Sequence, residues 1–270
     1  MRLFQIINIL SIDVAIGAVI GSLFFAELYK VDIFPIELAV LFLTVWMIYT
    51  IDHLMDAYGL NHLASTKRHR FHQLNFRAII GSLFIAVILD VILVYFIRRP
   101  LYFTGGALSL MICFYFLILR RQEIFKELVG AVLYTSGILL LPLSLSYEMI
   151  NYEKVIIIFQ FGCIVLANLL LFSLFDEQVD RNDKHPSFAV TFGASATRNT
   201  LVALFLVGIL LSIFQSFWLP FSDEANFVLT LMNGILFLIF ANKSYFEKSE
   251  RYRLLGDGIF LIPFLNTVIC

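Results

Sequence analysis

The sequence alternates apolar runs with short polar connections, and each run has the length of about 20 residues that an α-helix needs to cross the hydrocarbon core of a bilayer. Such runs fall near 5–28, 34–51, 78–97, 101–119, 125–147, 155–175, 199–219 and 226–241. A weaker ninth, 254–270, is short and carries Asp257 and Pro263. The chain is 60% hydrophobic and 14% charged, whereas soluble domains average about 45–50% and about 25%. The expectation is an all-α, polytopic membrane protein, a single domain over residues 1–270 made of a bundle of about nine transmembrane helices. Arg2 before an apolar run resembles a signal peptide, but with so many spans following, an uncleaved first helix is expected. Cys113 and Cys163 lie inside predicted spans and Cys270 is the last residue, so no disulfide framework is suggested.

Charge placement orients the bundle. With nine spans, the N-terminus and every second connection share one side of the membrane, and that side holds 15 of the 19 Lys and Arg. The other side keeps Lys30, Arg98, Arg99 and Lys154. Lys and Arg accumulate on the cytoplasmic side of membrane proteins, so the N-terminus is expected inside a cell membrane. The net charge of −1 says little about partners, and no nucleic-acid partner is expected.

Two connections are longer and more polar than the rest. "DHLMDAYGLNHLASTKRHRFHQLNFR" (52–77) opens with Asp52 and Asp56 and contains Lys67, Arg68 and Arg70. "DEQVDRNDKHPSFAVTFGASATRN" (176–199) opens with Asp176 and Asp180 at the same spacing, followed by Arg181, Asp183 and Lys184. Both pairs follow a predicted helix on the cytoplasmic side, so the pattern recurs after four helices. The five histidines, at 53, 62, 69, 72 and 185, all lie in these two segments.

Carboxylates four residues apart share a helix face and repel unless a cation lies between them. One such pair alone reads as an ordinary helix end; two matched copies point to a site. Grouped carboxylates suit Mg²⁺, which takes a few protein oxygens together with substrate phosphate oxygens. Neighbouring Lys and Arg suit the remaining phosphate oxygens. At a membrane surface this describes a site for a molecule that joins a diphosphate head to an oily tail.

These residues resemble a known family, the UbiA-type intramembrane prenyltransferases, which have nine helices, an Asn-Asp-x-x-Asp-x-x-x-Asp motif after the second helix and an Asp-x-x-x-Asp motif after the sixth. "IYTIDHLMD" (48–56) aligns with the first motif, Asp52 and Asp56 taking its last two acidic places, and "DEQVD" (176–180) with the second. The continuation "DRNDKHPSFAVTFGASA" places Gly193 at the family's glycine. Ile48 and Tyr49 stand where the family has Asn and Asp. The family's Tyr-x-x-x-Lys after the fourth helix is not reproduced, and Tyr115, Arg120, Arg121 and Lys126 occur there at other spacings.

The resemblance implies transfer of an isoprenyl group from an isoprenyl diphosphate to a lipophilic, aromatic-type acceptor. Asp52, Asp56, Asp176 and Asp180 would be the Mg²⁺ ligands and catalytic residues. Lys67, Arg68, Arg70, Arg120, Lys126, Arg181 and Lys184 would be the diphosphate-binding residues. His69, His72, Asp183 and Tyr49 are further candidates. The 29 phenylalanines are read mainly as lipid-facing or packing residues. Asp13 and Asp90 lie within spans without a visible partner. Two rival readings are a non-catalytic prenyl-diphosphate or lipid-binding membrane protein, and a histidine-ligated membrane metal oxygenase, for which five histidines are few.

Overall fold

The computed structural model describes residues 2–60, 62–118, 126–148, 151–219 and 223–265. Twelve helices are present among them and no strand: α1 Arg2–Ile9, α2 Ile12–Leu28, α3 Pro35–Tyr58, α4 Lys67–Leu74, α5 Phe76–Val94, α6 Pro100–Leu117, α7 Lys126–Leu145, α8 Tyr152–Asp183, α9 Phe188–Trp218, α10 Asp223–Ala241, α11 Lys243–Phe246 and α12 Arg251–Gly258. Only helices satisfy every backbone group internally within hydrocarbon, which is why apolar runs of this length fold this way. Seven of the twelve, α3 and α5 to α10, have the length and hydropathy of a membrane span. The chain forms a multi-pass membrane bundle.

The helices depart from the predicted spans where polar residues intervene. The predicted first span, 5–28, is divided into α1 and α2 at Ser11, whose φ of 55° is left-handed. The interruption is held open by polar contacts: Trp46 Nε1 donates to the Leu10 carbonyl (3.0 Å), and Asn8 Nδ2 donates to Asp13 Oδ2 (2.6 Å). The predicted ninth span is described only to Leu265. There α12 tightens into a 3₁₀ turn at Ile259–Leu261 just before Pro263, which lacks an N–H and clashes with the carbonyl four residues back.

Other helices run longer than their apolar cores. The α3 helix continues past residue 51 to Tyr58, so both first-motif carboxylates are on the helix itself. The 32 residues of α8 reach roughly 48 Å at 1.5 Å per residue, more than the about 30 Å hydrocarbon core, so its Asp176–Asp180 turn lies at one end of the bundle. The α9 helix begins at Phe188 and absorbs the "TFGASA" stretch by kinking at Gly193, whose φ of 85° only glycine adopts readily.

The centre of the bundle is the α8 helix, which packs on α7, α9, α10 and α12, while α2 packs on α3, α7 and the 3₁₀ turn. Phe25, Ile138, Phe161, Leu171, Leu201 and Met232 are fully buried there. The α5 helix rests on α3, and α6 on α7. Their outer faces (Phe84, Val91, Phe103, Leu110) are exposed and apolar, as a lipid-facing surface is. A polar layer ties α8, α9 and α10 together: Gln160 Nε2 donates to Ser212 Oγ (2.9 Å) and Asn226 Nδ2 to the Ser212 carbonyl (3.0 Å). Bonds of this kind between membrane helices contribute about 0.6 kcal/mol each.

Candidate active site

Several charged side chains converge at the end of the bundle formed by the C-terminal turns of α3 and α8, the start of α7, the surface helix α4 and the start of α12. The α4 helix is placed by the loop before it. Thr66 caps it by accepting from the His69 N–H (3.2 Å), and Gln73 Nε2 donates to the Ala57 carbonyl at the end of α3 (2.8 Å). Asp183, at the end of α8, accepts from Ser65 N–H (3.1 Å) and Ser65 Oγ–H (2.7 Å). Asp183 therefore fixes the loop that carries α4 to the end of α8.

Asp56 faces three bases: Lys126 Nζ at 3.7 Å, His185 Nδ1 at 3.8 Å and His69 Nε2 at 3.9 Å. Burial first, and then the cations and imidazole around it, outweigh the pull of Asp56 and push the His69 imidazole down to about 3. His69 is therefore a neutral hydrogen-bonding group here. His53, His69 and His185 lie ring beside ring, with centroids 5.7 Å and 5.6 Å apart. Tyr49 sits between the rings of His53 (6.3 Å) and Tyr134 (6.1 Å).

Asp176 is held differently. Its Oδ2 accepts from Arg253 Nη2 at 2.6 Å, and its Oδ1 accepts from the Tyr252 hydroxyl. Arg253 Nε also reaches the Tyr252 oxygen at 3.3 Å. Burial works against the Arg253 charge, but the Asp176 carboxylate and Tyr252 raise it well above the ordinary value. The ring of Tyr252 stacks on Phe175 with centroids 4.4 Å apart, so the α12 start is locked against α8.

Beside these pairs lies a buried network built on Arg68. Its Nη2 donates to Asn8 Oδ1 (3.0 Å) and Asp257 Oδ2 (3.1 Å), and its Nη1 to His53 Nε2 (3.3 Å). Asn8 Nδ2 bridges onward to Asp13 and Asp257. One arginine thus joins α1, α2, α3, α4 and α12.

All of this opens into a cavity of about 550 Å³. Its charged end is lined by Asp52, Asp56, Asp176, Asp180, Lys126 and Arg253. The remainder is lined mainly by apolar residues of α3, α6, α7 and α8 and reaches Glu37, Leu101 and Leu141 at the opposite end of the bundle. Since Glu37 and Asp56 lie on the same helix, the cavity spans roughly 28 Å at 1.5 Å per residue, about the thickness of the hydrocarbon core. At the far end the two oxygens of Glu37 meet Arg98 Nε (2.6 Å) and Nη2 (2.5 Å).

The residues singled out in sequence are distributed as follows. Asp52, Asp56, Asp176, Asp180, Lys126, Tyr49, His69 and Arg68 line the cavity, although Arg68 is committed to its buried network. Lys67, Arg70, Arg181 and Lys184 are exposed. Arg70 donates to the Ala64 carbonyl (3.1 Å), and Arg181 pairs with Glu177 one turn away (3.0 Å). His72 is buried, its Nδ1 donating to the Arg68 carbonyl (2.9 Å). Arg120 lies outside the described residues. Arg253, Tyr252, His185 and Asp257 join the cavity or its wall without having been singled out. Arg253 read as one more cytoplasmic cation; the advance signals were the place of His185 among the five clustered histidines and, for Asp257, an acid inside a predicted span.

Among the described residues no three His, Cys, Asp or Glu side chains form a ready-made metal cage. Mg²⁺ seldom uses one, because it keeps one or two carboxylates and completes its shell with phosphate oxygens and water. Asp52, Asp56 and Asp180 fit that role. Asp176 offers oxygens at the same end, where Arg253 and the Tyr252 hydroxyl already meet it.

The fold and cavity define a class: an all-helical, multi-pass membrane bundle around a long apolar chamber with acidic and basic groups at one end. Its fold is that of UbiA homologues. A UbiA homologue from Aeropyrum pernix, in its apo form, superposes with a TM-score of 0.65 at 11% identity over 97% of each chain. One from Archaeoglobus fulgidus, bound to DMAPP and Mg²⁺, superposes with a TM-score of 0.57 at 12% identity over 100% of this chain and 98% of the other. No protein-family model matches the sequence. No curated protein matches it either.

Proposed function

We propose that the protein transfers an isoprenyl group from an isoprenyl diphosphate to a lipophilic, aromatic-type acceptor in the membrane, in a Mg²⁺-dependent reaction. The observation that carries this reading is the cavity itself, which joins a carboxylate- and cation-lined head to an apolar chamber about as long as a membrane is thick. The DMAPP and Mg²⁺ bound by the Archaeoglobus homologue are the same two kinds of ligand.

In this reading Asp52, Asp56 and Asp180 hold Mg²⁺, and the chemistry that Mg²⁺ supplies is neutralisation of charge on a departing diphosphate. Lys126 and Arg253 are fixed cations at the same end and favour the same charge without reorganising. The apolar chamber binds the prenyl tail and keeps water from the allylic carbon. Positive-inside placement puts this end at the cytoplasmic face of a cell membrane.

The test is diphosphate release from isoprenyl diphosphates of several lengths by the purified full-length chain in detergent with host lipid extract. Release is expected with Mg²⁺, and to be lost in Asp52→Asn and Asp180→Asn. Ile48 and Tyr49, in place of two polar residues of the resembling motif, favour a second reading, binding without turnover. Prenyl diphosphate held tightly with no release supports that second reading, and neither binding nor release refutes both.

A further inference from the structure

We infer that Asp90 binds the acceptor, its carboxyl group taking the hydroxyl of a neutral, lipophilic ring compound of the phenol or quinol kind partway along the chamber. The inference rests on the prenyl-transfer reading above and deepens it by naming the class of acceptor.

Asp90 is an acid that the charged end of the cavity does not use. It lies in α5, a helix with the length and hydropathy of a membrane span. Its neighbours Leu89 and Val91 are exposed and apolar, whereas Asp90 itself is partly buried and lines the chamber. Its Oδ2 accepts from the Thr44 hydroxyl at 3.3 Å, and its Oδ1 is buried with no hydrogen-bond partner among the described residues. An acid kept inside a membrane span is costly, and it marks where a ligand or ion is handled. A buried oxygen left without a partner costs more than an ordinary hydrogen bond returns, so the missing donor is assigned to the ligand. The terminal torsion of an aspartate is soft, and a small turn offers either oxygen to the chamber.

Depth decides which ligand this is. On α3, Thr44 precedes Asp52 by eight residues and follows Glu37 by seven. Asp90 therefore lies about 12 Å along the chamber from Asp52 and about 10 Å from the Glu37 end, at 1.5 Å per residue. The Asp52 side chain and a diphosphate head take up most of the first distance, so a ring held at Asp90 lies beside the allylic end of the tail. The tail itself has nothing to hydrogen-bond, which leaves the acceptor. A hydroxyl serves Asp90 in either protonation state, because it both donates and accepts. When it donates to a carboxylate it also pushes electron density into its ring, as attack on an allylic cation requires. A carboxylate on the ring would instead bring like charge beside Asp90. There is room for a ring: Gly105 and Gly106 of α6 and Gly137 of α7 line the same chamber, and a Cβ on any of them would meet nothing within 4 Å.

The test measures binding of three probes to the full-length chain by equilibrium dialysis at fixed detergent concentration: 2-naphthol, 2-methoxynaphthalene, which lacks the hydroxyl hydrogen, and 2-naphthoate. Wild type is expected to bind 2-naphthol about tenfold more tightly than 2-methoxynaphthalene, the factor that one hydrogen bond to a charged group supplies. It is expected to bind 2-naphthoate more weakly than 2-naphthol. Asp90→Leu is expected to erase the preference for 2-naphthol while keeping or raising the unfolding midpoint, since it removes an acid from hydrocarbon. Asp90→Asn keeps the shape without the charge and serves if the leucine variant does not fold; its binding of 2-naphthoate is expected to rise. No preference for 2-naphthol in wild type, the preference retained in Asp90→Leu, or 2-naphthoate binding unchanged in Asp90→Asn overturns the inference. A wild type that prefers 2-naphthol but releases no diphosphate refutes the prenyl-transfer reading and leaves Asp90 a hydroxyl-binding site.

Discussion

Arg68 and Asp257 are 189 residues apart in the chain, yet Arg68 Nη2 lies 3.1 Å from Asp257 Oδ2, with both side chains more than nine-tenths buried. Their pairing closes the bundle at its charged end. It joins the surface helix that follows the first acidic pair to α12.

Removing one partner of a buried ion pair strands the other, at a cost of about 3–5 kcal/mol. Arg68→Ala is expected to lower stability by that order, while Arg68→Met with Asp257→Leu is expected to lose much less. Unfolding in detergent measures both. If Arg68→Ala instead keeps its unfolding midpoint and loses only diphosphate affinity, Arg68 is a ligand rather than a brace.

At the opposite end, Glu37 is fully buried and gripped by both nitrogens of the Arg98 fork. Arg98→Ala is expected to cost about 3 kcal/mol by the same reasoning. Arg98→Lys restores the charge but not the fork, and is expected to lose about 1.5 kcal/mol, one charged hydrogen bond. Thermal melts of the two variants test the order.

His72 provides a pH dependence. Burial lowers its imidazole below the ordinary value, opposed in part by the hydrogen bond to the Arg68 carbonyl and helped by a lesser effect of the Arg68 charge. The unfolded chain therefore takes up this proton at higher pH than the folded one. Stability is unaffected above the ordinary imidazole range and is lost as pH falls through about 6.5 and below. His72→Gln is expected to flatten this part of the acid limb in unfolding measured from pH 8 to 5; an unchanged slope contradicts it.

Close packing leaves no room for a side chain at Gly17. A Cβ on Gly17 would lie 2.8 Å from Phe260 Cβ, so α2 and the 3₁₀ turn meet there through the absent side chain. Gly17→Ala is expected to cost about 1–3 kcal/mol. Gly137→Ala meets nothing within 4 Å and is expected to be neutral or stabilising by up to about 1 kcal/mol.

Lys126 tests the electrostatics of the proposed reaction. It stands 3.7 Å from Asp56 at the charged end of the cavity. Loss of one preorganised charge that stabilises a leaving group costs about 10²-fold in turnover, so Lys126→Ala is expected to lower kcat by that order with a smaller change in KM. A change confined to KM would assign it to ground-state binding.

The sequence by itself determined the class of fold, because apolar runs of membrane-spanning length in hydrocarbon have few alternatives to helices. It also pointed to the segments that line the charged end of the cavity, because two matched pairs of acids, each on one helix face, repel unless compensated. What it did not determine is which charges meet. Lys67, Arg70, Arg181 and Lys184 stand as near to the acidic pairs in sequence as Arg68 does, and yet they are exposed, while Arg68 turns inward. Arg253 reaches Asp176 from 77 residues away. A helix fixes neighbours at i+3 and i+4 and leaves all others to packing. The choice of Arg253 for Asp176, of Arg68 for Asp257, and of Arg98 for Glu37 was therefore made by how the helices pack, where a buried charge is tolerable only beside its partner.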